Sequence, residues 1–343
     1  AENLTESNYI EKRITETKSF SETLYDKIIE NTTLSDNIYT GSYETVVFKN
    51  AGETDLLIND AIVRAILFPG DNGKFNGSIV TLDLGETTVN ALGASTFQTA
   101  TNQYYSCRAQ HIIIPKTVKT SVLNEATNEY VEKMVVPTQL FKNYGTAEYL
   151  KEITIPEGYD RLAEKAFYNN AKITTFNLPS SLKLIGESAF ELCGALTSIT
   201  LNEGLENIGK RAFVSSGLTD ITFPSTLRII NDAAFAGLTN IKDLKFNAGL
   251  KYIGNSAFAL PSEMTVKTIE IPASVKYIGP FAFNFREYQD VFFLGADAPI
   301  MPIGKSTYIT DWGEGTAFSA HTLMGNNGFN PGTEGQMPTV TNM

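Results

Sequence analysis

An apolar pattern with a nearly constant period runs through the middle of the chain. The motif Ile-Gly-x-x-Ala-Phe starts at Ile185, and its Ile-Gly pair returns at Ile208, Ile253 and Ile278. The phenylalanines that close the motif are separated by 23, 23, 22, 23 and 25 residues, by subtraction of their positions: Phe167, Phe190, Phe213, Phe235, Phe258 and Phe283. A period in this range is typical of a solenoid, in which each turn buries its apolar face against its neighbours.

Each repeat begins with a short segment of alternating apolar and polar residues. A period of two places the apolar residues on one face of a β-strand. The central apolar residues of these predicted strands are Leu82, Ile112, Met134, Ile153, Phe176, Ile199, Ile221, Leu244, Ile269 and Val291. The pattern predicts a β-rich solenoid of the α+β class, with turns of about 23 residues and a parallel sheet.

The second half of each repeat contains a glycine and the Ala-Phe pair. Gly186, Gly209, Gly254 and Gly279 share one column, in which Asn231 is the substitute. Because asparagine tolerates positive φ better than most residues, we expect Asn231 in the left-handed region. The phenylalanines are expected to stack along the solenoid axis as its core.

The chain divides into three predicted segments. Residues 1–78 form an N-terminal helical segment and cap, because Ile10, Ile14, Phe20, Leu24 and Ile28 lie close to helical spacing. This segment is either a partner-binding helix or a cover for the solenoid end. Residues 79–295 form the solenoid. Residues 296–343 form a degenerate last turn and C-terminal cap, in which Trp312 either covers the core or stacks on a sugar.

Composition narrows the possible functions. The chain of 343 residues has 42% apolar residues, which favours a folded protein, and a formal net charge of -11 with 27 Lys and Arg. This charge argues against a nucleic-acid partner.

No apolar run reaches the ~18 residues of a membrane span. Because the chain starts at Ala1, we expect that a targeting segment has been removed. Cys107 and Cys193, four predicted turns apart, are expected to be free and buried.

The repeats resemble the BspA-type leucine-rich repeat of bacterial surface proteins. The resemblance is specific over residues 147–295 and rests on runs such as Ile199 to Phe213 and Ile269 to Phe283. It implies a secreted or surface-anchored protein that binds other molecules, often host proteins or neighbouring cells. The family pattern carries no catalytic residues.

Candidate chemistry is sparse. The two histidines, His111 and His321, are far apart and lack metal-ligand spacing, so neither a metal nor a cofactor is predicted. We expect a non-catalytic monomer that binds an extracellular protein or glycan. The alternatives are a solenoid enzyme acting on polysaccharide and a structural spacer.

The candidate binding residues flank the central residue of each strand and point away from the core. We name this set the strand face: Glu152, Thr154, Thr175, Asn177, Ser198, Thr200, Asp220, Thr222, Asp243, Lys245, Thr268 and Glu270. Because it is polar and mildly acidic, a polar or basic partner is expected. Ile113 and Val135 predict a small apolar spot at its N-terminal end, which either binds or is covered by residues 1–78.

Overall fold

The computed structural model describes residues 9–14, 33–35, 38–40, 42–50, 78–89, 92, 109–124, 127–141, 150–241, 244–261, 268–283, 290–295, 299, 319–322 and 341–342. No helix occurs in these ranges. In chain order the strands are β1 (Tyr9–Ile14), β2 (Thr33–Ser35), β3 (Ile38–Thr40), β4 (Ser42–Asn50), β5 (Ser78–Glu86), β6 (Thr88–Val89), β7 (Ala109–Ile113), β8 (Lys116–Thr117), β9 (Thr120–Asn124), β10 (Glu129–Val136), β11 (Glu152–Thr154), β12 (Tyr159–Leu162), β13 (Thr175–Asn177), β14 (Leu184–Ile185), β15 (Asn207–Ile208), β16 (Ile229–Ile230), β17 (Leu244–Lys245), β18 (Tyr252–Ile253), β19 (Thr268–Ile271), β20 (Tyr277–Ile278), β21 (Asp290–Phe293), β22 (Ser319–Thr322) and β23 (Thr341–Asn342).

The first strand of each turn builds one side of the solenoid. A parallel sheet with the order β1-β4-β5-β7-β11-β13 covers its N-terminal part, and the sheet β17-β19-β21-β22-β23 covers the C-terminal part. Buried apolar residues pair across these strands, as Ile112 does with Leu82 and Ile153. This arrangement confirms the predicted solenoid of stacked parallel strands. Between the two sheets, the segments around Ile199 and Ile221 follow the same path without regular strand pairing.

The second apolar segment of each turn builds the opposite side. The strands β12, β14, β15, β16, β18 and β20 pair in parallel without a break, in an eight-stranded sheet that ends at β10 and β9. In each two-residue strand of this sheet one residue is buried, as Ile185, Ile208 and Ile230 are. The other residue of each of these strands faces outward, which gives the solenoid a second sheet surface.

Met134 does not belong to the first sheet, so the prediction for this turn is wrong. Strand β7 pairs directly with β11, whereas β10 forms an antiparallel hairpin with β9 and pairs in parallel with β12. The polar-apolar alternation of β10 fits either sheet, and sequence alone gave no reason to prefer the second. Three turns rather than four therefore separate the strand of Ile112 from the turn of Ile199.

Two N-terminal expectations also need correction. Ile10 and Ile14 lie on β1, which pairs in parallel with β4, and not on a helix. A separation of four residues is compatible with one face of a helix and with one face of a strand, so the pattern was ambiguous. Val135 pairs with Arg161 in the second sheet, so it does not form an apolar spot with Ile113. Phe20, Leu24, Ile28, Cys107, Asp243 and Trp312 lie outside the described residues.

The glycine column has a different cause from the one expected. Asn231 and the column glycines all lie outside the left-handed region. A Cβ atom added at Gly209 would lie 2.7 Å from the backbone carbon of Gly186, and one at Gly254 would lie 2.4 Å from the backbone nitrogen of Asp232. Close stacking of successive turns therefore favours glycine in this column. Asn231 bridges the turns by donating from Nδ2 to Asn207 Oδ1 and to the Ile208 carbonyl.

One set of left-handed residues lies two positions after the glycine column. Lys165, Ser188, Arg211, Ala233, Ser256 and Phe281 all have φ between 53° and 57°. Each is the third residue of a tight turn, as shown by the bond from Ala189 N to the Gly186 carbonyl at 3.3 Å. A type II turn requires positive φ at that position. Alternate amides in this segment donate to the next turn, for example from Phe190 N to the Ala212 carbonyl at 2.8 Å.

The phenylalanines form the core, as predicted. The ring centroids of successive residues are 5.1–5.8 Å apart and the ring planes are 3–22° apart, in the stack Phe141, Phe167, Phe190, Phe213, Phe235, Phe258 and Phe283. The sequence reading missed Phe141, because no Ala precedes it. Each ring is buried, so the stack holds neighbouring turns together by apolar burial.

Candidate binding surfaces

The strand face is formed by the outward positions of the first strands and of the segments around Ile199 and Ile221 that continue their path. Register places Thr175 beside Glu152 and Asn177 beside Thr154, while Glu270 lies beside Lys245. Seven of the predicted residues are exposed, namely Asn177, Ser198, Thr200, Asp220, Thr222, Lys245 and Glu270. Glu152, Thr154 and Thr175 are half-buried. Thr268 pairs with Asp290 across β19 and β21, and Asp243 is outside the described residues.

Hydrogen bonds connect the N-terminal part of the strand face. Asn177 Nδ2 donates to Glu152 Oε1 at 2.6 Å and to Thr154 Oγ1 at 2.8 Å. His111 Nε2 lies 2.8 Å from Thr154 Oγ1 and 3.8 Å from Glu152 Oε1. These contacts hold four polar side chains in fixed positions on three neighbouring strands. The sequence reading considered His111 as a possible metal ligand and missed this cluster, because its partners are about 40 residues away in the chain.

The His111 cluster does not have the geometry of a catalytic triad. In a triad, the acid binds one imidazole nitrogen and orients the other toward the nucleophile. Here both Glu152 and Thr154 approach the same atom, Nε2. The arrangement therefore suits a fixed polar surface better than an activated hydroxyl. Among the residues that the structure describes, no group of three His, Cys, Asp or Glu side chains is placed to hold a metal ion.

The first apolar residue of the strand face is partly covered. Ile113 is half-buried and pairs in register with Asp83 and Thr154. A Cβ atom built on Gly85 would lie 2.9 Å from Ile113 Cγ2, so this glycine lets β5 approach the isoleucine. Neighbouring strand residues thus shield part of the predicted apolar spot.

Carboxylates stabilise the corner between the two sheets in alternate turns. Glu157 accepts bonds from the backbone and hydroxyl of Ser180 at 2.8 and 3.0 Å, and Glu203 does the same with Ser225 at 3.0 and 2.8 Å. Backbone hydrogen bonding, from Ser180 and Ser225 respectively, is the main cause that lowers the pKa of each glutamate. These corner contacts fix the rim of the strand face rather than a catalytic site.

One ion pair is partly buried at the Ala-Phe turn. Arg211 donates to Glu191 from Nε at 3.1 Å and from Nη2 at 2.5 Å. Burial alone would raise the pKa of Glu191, but the hydrogen bonds and charge of Arg211, with a bond from Ser188, lower it overall. Arg211 and Glu191 belong to neighbouring turns, so their ion pair helps to hold these two turns together.

The cysteine prediction is confirmed for Cys193. This thiol is free and buried, and its Sγ donates to the Phe167 carbonyl at 3.3 Å. Burial raises the pKa of Cys193 to about 12, so the reactive thiolate is rare at neutral pH. Cys193 is therefore a core residue and not a functional nucleophile.

The β9–β10 hairpin exposes an apolar pair that the sequence reading did not identify. Tyr130 is 73% exposed and Leu123, directly opposite it, is 40% exposed. Ser121 also bonds to Glu132 across the hairpin. Within the described strands, β9 is the terminal strand of its sheet, so the pair lies at an edge of that sheet.

A search for membrane spans among the described residues finds no helix that is long and apolar enough to cross a bilayer.

Three solved structures of bacterial leucine-rich repeat proteins are similar to this chain. The protein from Bacteroides ovatus ATCC 8483 has 21% identity over 62% of this chain and 63% of its own, with a TM-score of 0.40. The T. pallidum protein has 25% identity over 51% and 82%, with a TM-score of 0.38. A leucine rich cell surface protein from Faecalibacterium prausnitzii A2-165 has 22% identity over 54% and 63%, with a TM-score of 0.32. This chain thus spans less than two thirds of the Bacteroides ovatus protein. No curated protein matches.

A family model provides the assignment. The BspA type leucine rich repeat region, in six copies, matches residues 98–227 and 206–297. Together these ranges make up more than half of the chain, and they include the turns with the stacked phenylalanines. The chain belongs to the BspA type leucine-rich repeat family.

Proposed function

We propose that this chain is a non-catalytic binding or adhesion module of a secreted or cell-surface protein. It recognises an extracellular protein or glycan through the strand face. The family assignment supports a repeat scaffold, because such solenoids offer extended surfaces to partners.

The observation that carries the proposal is the row of seven exposed polar residues on one side of the solenoid. Asp220 and Glu270 contribute negative charge to this row, and its threonines and Asn177 supply hydroxyl and amide groups. Such a surface can form hydrogen bonds with a polar partner. A partner with basic groups gains further from the acidic residues, and salt weakens that attraction.

The alternative of an enzyme acting on polysaccharide has less support. A retaining or inverting glycosidase needs two carboxyl groups at a defined spacing across the substrate. On the described strand face, Glu152 bonds to Asn177, and Asp220 and Glu270 lie two turns apart in the chain order of strands. A screen of complex polysaccharides for new reducing ends tests this alternative directly.

The binding proposal is tested in two steps. An array of extracellular proteins and glycans, probed with the purified chain, first identifies partners. The double variant Asp220→Lys and Glu270→Lys then reverses charge on the strand face. We expect it to weaken binding of a basic partner by about tenfold or more, because like charges replace attractive ones.

A matched control separates the site from the total charge. The variant Glu187→Lys and Glu206→Lys makes the same change in net charge at exposed positions of the second sheet side. It should leave the affinity within about twofold. Equal affinity of the strand-face variant and the parent chain, with an unchanged circular dichroism spectrum, would rule out this face. The pair Tyr130 and Leu123 on the hairpin would then become the next surface to test.

A further inference from the structure

Three cations occupy one row directly before the strands β16, β18 and β20 of the second sheet. Arg228, Lys251 and Lys276 are exposed and lie in successive turns. Lys251 N donates to the Arg228 carbonyl at 2.9 Å, and Lys276 N donates to the Lys251 carbonyl at 2.8 Å. The backbones are therefore one strand spacing apart, about 4.8 Å. We call these three residues the cationic row.

Two tyrosines lie beside the cationic row. Tyr252 pairs with Tyr277 in register, and their ring centroids are 4.7 Å apart with ring planes 3° apart. Both are half-buried, and Ile229 precedes them in the same column. The two stacked rings therefore lie side by side on the outward face of β18 and β20, next to the cationic row in the chain.

No described carboxylate forms an ion pair with the cationic row, although Glu206 holds the same position in the turn before Arg228. In earlier turns the charges alternate, and Lys183 lies 3.9 Å from Glu206. The nearby Asp232 accepts a bond from Asn255 N at 2.8 Å, and its charge adds to the burial that raises the pKa of Tyr252. Arg228 Nη1 donates to the carbonyls of Ser225 and Leu227, which are uncharged acceptors. No ion pair connects any of the three cations to an acidic residue in the described part of the chain.

This concentration of positive charge is unusual for a chain whose net charge is -11. Like charges on neighbouring strands repel and lower stability. An anionic ligand would relieve this repulsion, so the row is complementary to a linear polyanion.

We infer that the cationic row and the tyrosine pair bind an acidic polysaccharide. A carboxylated sugar chain lying along the solenoid axis can present acidic groups to successive cations. Its hydroxyl groups and C–H surfaces can then contact the tyrosine edges. A nucleic acid fits less well, because its affinity depends on many phosphate contacts and the row supplies only three cations. This site is separate from the strand face.

The probe for the test is an oligomer of polygalacturonate, measured by titration calorimetry at low salt. We expect the parent chain to bind, and the double variant Lys251→Gln and Lys276→Gln to bind at least about tenfold more weakly. The control Lys183→Gln and Lys210→Gln makes the same charge change on the same side of the solenoid. Its affinity should stay within about twofold.

Two further measurements make the assignment specific. Tyr277→Leu keeps the charge and should weaken binding by about threefold, because the ring contact is lost. A single-stranded DNA of equal charge should bind more weakly than the polygalacturonate oligomer. The strand-face variant Asp220→Lys and Glu270→Lys should not weaken this binding, so failure of the first proposal is distinguishable from failure of this one.

Several results would overturn the inference. The parent chain could fail to bind the oligomer at low salt, or the control double variant could lose as much affinity as the cationic-row variant. An unchanged affinity of Tyr277→Leu would remove the tyrosine pair from the site and with it the preference for a sugar. Stronger, Lys251-dependent binding of the DNA would assign the row to nucleic acid instead.

Discussion

Backbone strain is concentrated at single residues of the Ala-Phe turns. Leu192 has φ of 63° and is 37% exposed, so it combines an unfavourable conformation with an unprotected apolar side chain. The left-handed region costs a residue with a Cβ atom roughly 1–2 kcal/mol. In the next turns Ser215 and Gly237 hold the equivalent position, with φ of 52° and 72°.

Replacing Leu192 should therefore increase stability. We expect Leu192→Asn to raise the free energy of unfolding by about 0.5–1 kcal/mol, because asparagine tolerates positive φ better. Urea denaturation measures the change. The control is Leu123→Asn, the same substitution at 40% exposure on a strand with ordinary φ, which should give no gain. A gain of equal size in both variants would show that removal of exposed apolar surface, and not strain, is responsible.

At the scale of the repeat, the distance between turns determines where glycine is needed. The hypothetical Cβ of Gly209 meets backbone atoms of Gly186 and Glu187 at 2.7 and 2.9 Å, whereas at Gly194 nothing lies within 4 Å. Backbone atoms cannot move aside without separating the turns. The two glycines, 15 residues apart, therefore offer a direct comparison of a crowded and an open position.

Gly209→Ala should destabilise the chain by about 1–3 kcal/mol, because the methyl group overpacks the stacked backbones. Gly194→Ala should be neutral or stabilising by up to about 1 kcal/mol, since alanine restricts the unfolded chain. Thermal or urea unfolding of both variants measures the difference. If the two substitutions have the same effect, close stacking is not the reason for glycine in the column.

At the scale of the whole molecule, carboxylates that bridge neighbouring turns make stability depend on pH. The pKa values of Glu157 and Glu203 are lowered mainly by backbone hydrogen bonds from the next turn, and the pKa of Glu191 is lowered overall despite its burial. A lowered pKa in the folded state stabilises the fold above the unfolded pKa. That contribution is lost as pH falls through the folded value.

We therefore expect the free energy of unfolding to decrease as pH falls below about 4.5, the ordinary range of a glutamate. The double variant Glu157→Gln and Glu203→Gln should show a shallower decrease between about pH 5 and pH 3. Its control is Glu187→Gln and Glu270→Gln, two exposed carboxylates that accept no hydrogen bond from the described residues. Identical slopes for the two variants and the parent chain would contradict the linkage.

The repeat period was enough to establish the solenoid and its core. Phe190 and Phe213 recur at equal spacing with the same neighbours, and only a stack of similar turns buries each of them in the same way. The outward direction of Thr200 or Asp220 followed from strand alternation for the same reason. Their function as a binding surface stays a prediction, because the repeat period reflects the packing of the turns and not the identity of a partner.

The tertiary structure decided the features that depend on contacts between turns. Three features depend on which backbones lie side by side: the sheet to which Met134 belongs, the cause of the glycine column and the partners of His111. The cationic row likewise became visible only when Lys251 and Lys276 were stacked beside Arg228. Local sequence determines to which face of its own strand a side chain points. The residues that it contacts are 20 or more positions away in the chain, and the pairing of those strands determines which they are.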